Sequence, residues 1–124
     1  MDLKNYFKNV SGMGFLATAN GKGEVDIAVY SRPHVMDDET LAYGMADRLT
    51  HANLTQNPYA VYAFHEGSFK GKRIFLEKVR EETEGTLLEG IRKDADRMVG
   101  PGVGNMVKYV VYFRVSKELP LVGG

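Results

Sequence analysis

The residues that decide the fold are Leu41–Phe64, LAYGMADRLTHANLTQNPYAVYAF. Leu41, Tyr43 and Met45 alternate as residues sharing one face of a strand do. Ala46-Asp47-Arg48 breaks the alternation. Leu49–Gln56 suits one or two helical turns, and Asn57-Pro58 ends them, because a residue before proline is pushed out of the α region. Ala60, Tyr62 and Phe64 then alternate with Tyr59, Val61 and Ala63 as a second strand. The front of the short helix gathers Arg48, Thr50, His51 and Asn53. A helix start offers unpaired backbone N–H groups and the positive end of the macrodipole, which suit a phosphate. Arginine adds a planar fork of donors and threonine a hydroxyl. The same residues also fit an ordinary surface helix, capped by Asp47 or Thr50, with Arg48 merely solvated.

On either side of this stretch the pattern predicts more strands. Met13–Asn20 alternates Phe15, Ala17 and Ala19 with Leu16 and Thr18, and Gly21-Lys22-Gly23 reads as a hairpin turn. Glu24–Pro33 is the second expected strand, with Val25, Ile27, Val29 and Ser31 on one face and Asp26, Ala28, Tyr30 and Arg32 on the other. An acidic turn, Asp37-Asp38-Glu39, leads to the strand starting at Thr40. These strands follow one another as an antiparallel meander that closes as a barrel. Lys72–Arg80 is a fifth strand whose charged end is expected to leave the barrel, into solvent or a dimer contact. Met106–Ser116 is the sixth and the most strongly β. Two helices complete the set. Asp2–Val10 carries an apolar stripe of Leu3, Tyr6, Phe7 and Val10 and reads as a lid on the barrel end. Thr83–Val99 carries Leu87, Leu88, Ile91, Ala95 and Met98 and stops at the glycines of Gly100–Gly104.

At 124 residues, the expectation is one domain over residues 1–124. The chain is 44% hydrophobic and 26% charged, ordinary for a globular protein. Sixteen basic and sixteen acidic residues cancel, which argues against a nucleic-acid binder. Without cysteine there is no disulfide, thiol catalysis or iron–sulfur ligation by the chain. No apolar leader or membrane-length run is visible, so a cytoplasmic protein is expected.

Strand, basic residue, Thr-X-Ala-Asn-Leu, Asn-Pro, strand resembles the FMN-binding split-barrel family, the pyridoxamine 5'-phosphate oxidase-like proteins. The matching string is RLTHANLTQNP, Arg48–Pro58. A looser likeness runs from about Gly14 to about Val79. Many members place the basic residue directly before the threonine; here Leu49 stands there, so Arg48 supplies the charge one position earlier. The resemblance implies a mainly β fold with added helices, a six-stranded antiparallel split β-barrel. It implies FMN as cofactor, held at the interface of a homodimer. Ser31 and Arg32 join Arg48 and Thr50 as phosphate candidates. Backbone groups of Ala28, Val29 and Tyr30 are candidates for the flavin ring edge, with small Ala28 letting a planar ring approach. Each of these positions also reads as plain sheet packing or a solvated strand end.

The apolar residues on both faces of Val107–Val115 add a physical reason for a dimer, since Val110 and Tyr112 need something packed outside them. His34, His51 and His65 lack metal-ligand spacing, and no metal site is expected. His51 reads either as a residue tuning the flavin or as an exposed helix residue. Gly100–Gly104 follows a helix and precedes a strand, the reverse of a dinucleotide loop. Glu81-Glu82-Glu84 reads as a solvated helix start. No catalytic residue is assigned. The resemblance leaves open a small flavin-dependent oxidoreductase, a non-catalytic flavin or electron carrier, and a haem or deazaflavin binder.

Overall fold

The computed structural model describes residues 2–124. In order they form α1 (Leu3–Asn9), β1 (Met13–Ala19), β2 (Val25–Val29), β3 (His34–Asp37), β4 (Thr40–Ala46), α2 (Leu49–Gln56), β5 (Tyr59–Gly67), β6 (Lys70–Glu82), α3 (Thr86–Met98), a 3-10 turn (Val103–Met106) and β7 (Val107–Pro120). All seven strands belong to one antiparallel sheet in the order β2-β1-β5-β6-β7-β4-β3. The mainly β class with three helices is as expected, with seven strands instead of six.

The meander is not formed. β4 pairs with the final strand β7, Leu41 opposite Phe113, and β1 pairs with β5, Leu16 opposite Tyr62. β2 and β3, adjacent in sequence, end at opposite edges of the sheet. The second strand is also shorter than its alternation suggests. It ends at Val29; just beyond it the Tyr62 hydroxyl lies 3.0 Å from both the Tyr30 and Ser31 carbonyls, its single proton shared between them.

Inward residues of the strands form the barrel core: Leu16, Leu41, Tyr43, Met45, Tyr62, Phe64, Ile74, Val111 and Phe113 all belong to one buried cluster. Leu3 and Phe7 of α1 close one end of it, the lid role its stripe suggests. Asp2 caps that helix, its carboxylate accepting from the Asn5 N–H at 3.0 Å. Leu54 of α2 enters the same cluster from another side. The outer face of β4 and β7 is covered differently. Ala42, Val110, Tyr112 and Leu88 form a second buried cluster, with Ile91 and Leu87 of α3 packed against it. The cover over Val110 and Tyr112 is therefore the chain's own helix, and those residues give no argument for a dimer.

β6 does not leave the barrel. Arg80, Glu81 and Glu82 lie opposite Tyr112, Val111 and Val110 of β7. The charges there are paired as well as solvated, Arg80 with Glu82 at 3.1 Å. The Tyr112 hydroxyl donates to Glu82 at 2.7 Å, and the Arg80 guanidinium lies 3.7 Å from the Tyr112 ring centroid.

Candidate functional site

Helix α2 positions the central residues. It spans eight residues with Arg48 as its N-cap, in extended backbone and without a side-chain capping bond. Its inward side is polar rather than apolar. Thr50, His51, Asn53 and Leu54 are all buried. The Asn53 amide donates to the Thr18 hydroxyl at 3.0 Å inside the fold. A polar residue at the inward position Thr18, next to Leu16 on the same face, was the available signal for that partner. Asn53 thus docks the helix against β1.

His51 is not an exposed helix residue. Only 6% of it is exposed, its ring stacks on Tyr109 at 3.7 Å and 4°, and its Nε2 lies 2.8 Å from Glu81 Oε1. Lys78 Nζ donates to the same oxygen at 2.7 Å. The Glu81 carboxyl feels burial, which alone would raise its pKa. The hydrogen bonds from Lys78 and His51 outweigh this and hold it below the ordinary value. Glu81 is therefore a fixed tie between β6 and α2, not a solvated helix start.

At the helix start the donors are uncommitted. The Arg48 side chain has no hydrogen bond or ion pair among the described residues, and Arg48 is exposed. The first helical N–H with an acceptor is that of Ala52, bonded to the Arg48 carbonyl at 3.0 Å. Arg48 lines a cleft with Asn105 and Lys108 from the far end of the chain. Neither of those two had been singled out in the sequence, because nothing local connects them to α2. Thr50 stands beside the Tyr30 phenol. Burial raises the pKa of that phenol, and Thr50 opposes the rise.

Arg32 lies elsewhere. Its Nη1 donates to the Phe7 carbonyl at 2.9 Å and the Val10 carbonyl at 3.0 Å, at the C-terminal end of α1. It lines the clefts beside α1 and α3, and not the Arg48 cleft. Ser31, exposed, lies with it. Of the three ring-edge candidates, Tyr30 has its N–H bonded to the Gly14 carbonyl at 3.0 Å. Antiparallel ladders alternate, so Ala28, two residues back and opposite Leu16, also turns its backbone groups toward β1. Val29 turns its N–H and C=O to the open edge of the sheet.

A second surface adjoins these residues. The outer face of β2, β1 and β5 is apolar and uncovered, and Phe75 of β6 continues it between Arg73 and Glu77. Val29, Phe15 and Ala63 form one row across it, and Ile27, Ala17, Val61 and Phe75 the next. Val25, Ile27, Val29 and Tyr59 are 84%, 65%, 66% and 63% exposed.

Neither a protein-family profile nor a curated protein sequence matches the chain. Solved structures do. An FMN-binding protein from Syntrophomonas wolfei is 25% identical, with a TM-score of 0.78 over 95% of this chain and 82% of that one. HupZ from group A Streptococcus is 25% identical, with a TM-score of 0.75 over 99% and 94%. The fold is the FMN-binding split barrel. HutZ, the heme storage protein from Vibrio cholerae, shares the split barrel at 16% identity, with a TM-score of 0.57 over 96% and 92%. Among the described residues of this split barrel no helix is long and apolar enough to cross a membrane. No group of three or more metal-capable side chains occurs among them either.

Proposed function

We propose that this protein binds FMN as a homodimer and serves as a small flavin-dependent oxidoreductase. The observation that carries the reading is the start of α2, where the Arg48 side chain and the first helical N–H groups have no partner and where Arg48 lines a cleft with Asp47, Asn105 and Lys108. Such donors suit a dianionic phosphate, for which a guanidinium and backbone N–H groups are strong partners. The fold likeness to an FMN-binding protein at 25% identity supports the same reading. Thr50 adds a hydroxyl beside Tyr30. Val29, at the open edge, offers the flavin ring free backbone groups, flanked by small Ala28 and by Tyr30. Asn53 and His51 hold the helix in place and do not touch the ligand. Ser31 and Arg32, set in another cleft, stand apart from the phosphate. Bound FMN supplies the redox chemistry; the chain holds the phosphate, orients the ring and limits the access of water.

The homodimer forms through the bare face of β2, β1 and β5. A row of exposed β-branched residues of this kind marks an interaction surface, and a two-fold pairing of identical faces is the commonest assembly.

The test is a fluorescence-quenching titration of the purified protein with FMN and with riboflavin. FMN is expected to bind at least about tenfold more tightly, since a hydrogen bond to a charged group contributes roughly 1.5–3 kcal/mol. Equal affinities overturn the phosphate assignment. A Soret band in the protein as purified transfers the site to haem. Turnover of NAD(P)H with an added acceptor separates an oxidoreductase from an electron carrier.

A further inference from the structure

Two clefts away from α2 meet at Arg32 and His34. The first runs beside α1 and adds Lys4 and Lys8. Lys4 and Lys8 are four apart on the helix, so they project from one side of it. No carboxylate lies within ion-pair distance of Lys4, Lys8, Arg32 or His34 among the described residues. In a chain with zero net charge, that is a local excess of cations. The second cleft, of about 360 Å³, lies between this corner and α3. Its far wall is apolar and helical: Ile91, Ala95 and Met98 follow the i, i+4, i+7 spacing of one helix face. Asp94 is the acid on its rim, and it is already paired with Arg97 at 3.0 Å.

Arg32 stands at the junction and is held still. Its Nη1 spends both hydrogens on the carbonyls of Phe7 and Val10. A guanidinium has five N–H donors, so three remain, on Nε and Nη2, in a side chain whose orientation is already fixed. A preorganised donor loses little entropy when it meets an anion.

We propose that the joined clefts form a second ligand site, for a small planar aromatic molecule that carries a phosphate or carboxylate. The aromatic body lies against Ile91, Ala95 and Met98, and the anionic group meets Arg32, flanked by Lys4, Lys8 and His34. At about 360 Å³ the apolar cleft is at the small end of ligand sites, which run from roughly 300 to 1,000 Å³. It suits a molecule smaller than a flavin nucleotide. The site stands on the clefts alone and does not depend on the flavin reading.

The test uses the full chain without added flavin and three probes: 2-naphthyl phosphate, uncharged 2-naphthol and inorganic phosphate. Binding is followed by calorimetry and by backbone amide shifts. The site predicts saturable binding of 2-naphthyl phosphate, at least about tenfold tighter than either of the others, with shifts at Ser31, His34, Ala95 and Met98. Ala95→Phe fills the apolar cleft from an accessible helix position and should weaken binding at least about tenfold. Arg32→Gln should do the same. If loss of the α1 clamp unfolds that variant, Ala95→Phe together with Lys4→Gln/Lys8→Gln decides. No binding at millimolar probe, equal binding of 2-naphthol, or unchanged affinity in folded Ala95→Phe overturns the proposal. Failure of FMN to bind leaves these outcomes untouched, so the two readings fail separately.

Discussion

Strands β4 and β7 carry Ala42, Val110 and Tyr112 on their outer face; β2, β1 and β5 carry Ile27, Ala17 and Val61 on theirs. The first set is buried and Ile27 of the second is 65% exposed. Both sets are apolar, and both lie on the side of the sheet away from the barrel core. The difference is α3, which follows β6 and lies across β4 and β7 with Leu88 fully buried. The residues packed against it do not include Ile27, Ala17 or Val61. Apolar sequence therefore does not separate a face covered by the chain's own helix from one left bare; only the path of the chain does. Gly44 shows how closely the covered face is fitted. A Cβ there would lie 2.7 Å from the Ile91 methyl, so the helix rests where the strand has no side chain.

The largest effect should come from breaking the covered face. Leu88→Ala removes the one fully buried side chain of α3. Truncations of buried leucine cost about 2–5 kcal/mol, and chemical denaturation should show a loss in that range. Ile27→Ala on the bare face should change the stability of the dissociated chain by no more than about 0.5 kcal/mol. Equal losses at the two sites would erase the distinction between the faces.

The bare face should respond in assembly instead. Ile27→Asp places a charge at the β2 end of the row Ile27–Ala17–Val61–Phe75. Sedimentation equilibrium should show dimer dissociation raised about a hundredfold or more, since a buried unpaired charge costs several kcal/mol. Val79→Asp, an exposed apolar position on β6 beyond the rows that form the bare face, is the control and should leave assembly unchanged. A native chain that runs as a monomer of 13.8 kDa at micromolar concentration removes the interface altogether.

These contrasts also mark what the sequence could and could not disclose. Alternation located the strands of the core and placed α2 at Leu49–Gln56, because those signals are local. Pairing partners are not local. Arg32 finds its acceptors 25 and 22 residues away, and His51 and Tyr112 find their carboxylates 30 residues away. Read alone, Glu81 and Glu82 suit the start of a helix. In the sheet they belong to two ion-pair and hydrogen-bond clusters, and β6 runs two residues past the expected end at Arg80, to Glu82, before α3 begins. The same holds for the site. Arg48 and Thr50, the candidates the motif offers, sit at the start of α2, whereas Asn105 and Lys108, which line the cleft with Arg48, come from a segment nearly sixty residues later. The short strand β3 was missed because His34–Asp37 offers only four residues, most of them exposed.

The start of α2 lies outside both faces, and its disruption should be smaller and selective. Arg48→Ala removes a side chain with no protein partner, so stability should barely move. FMN affinity should fall about ten- to a hundredfold, for a charge-assisted contact of roughly 1.5–3 kcal/mol. Riboflavin affinity should hold. Leu49→Lys in the same background should recover part of the loss. A variant that weakens both flavins alike would point to damage of the helix rather than loss of a phosphate contact.

The smallest expected effect concerns the tie that holds α2 against the seam between β6 and β7. Glu81 accepts from both His51 and Lys78 through one oxygen, and its carboxyl is held below the ordinary 4.5. A carboxyl depressed in the folded state binds its proton more readily when unfolded. Its stabilisation is therefore complete above the unfolded value and disappears as the pH falls through the lowered folded value. Glu81→Gln should reduce stability at pH 7 by about 0.5–1 kcal/mol, the range for a partly exposed pair. Comparing denaturation midpoints of the two proteins from pH 7 down to pH 3 checks the sign: the gap should close as the pH falls below 4.5. The bare face carries no such titrating tie, so Ile27→Ala should run parallel to the native protein over the same range. A gap for Glu81→Gln that stayed constant down to pH 3 would mean that the carboxylate charge contributes nothing and that packing of His51 on Tyr109 holds the helix by itself.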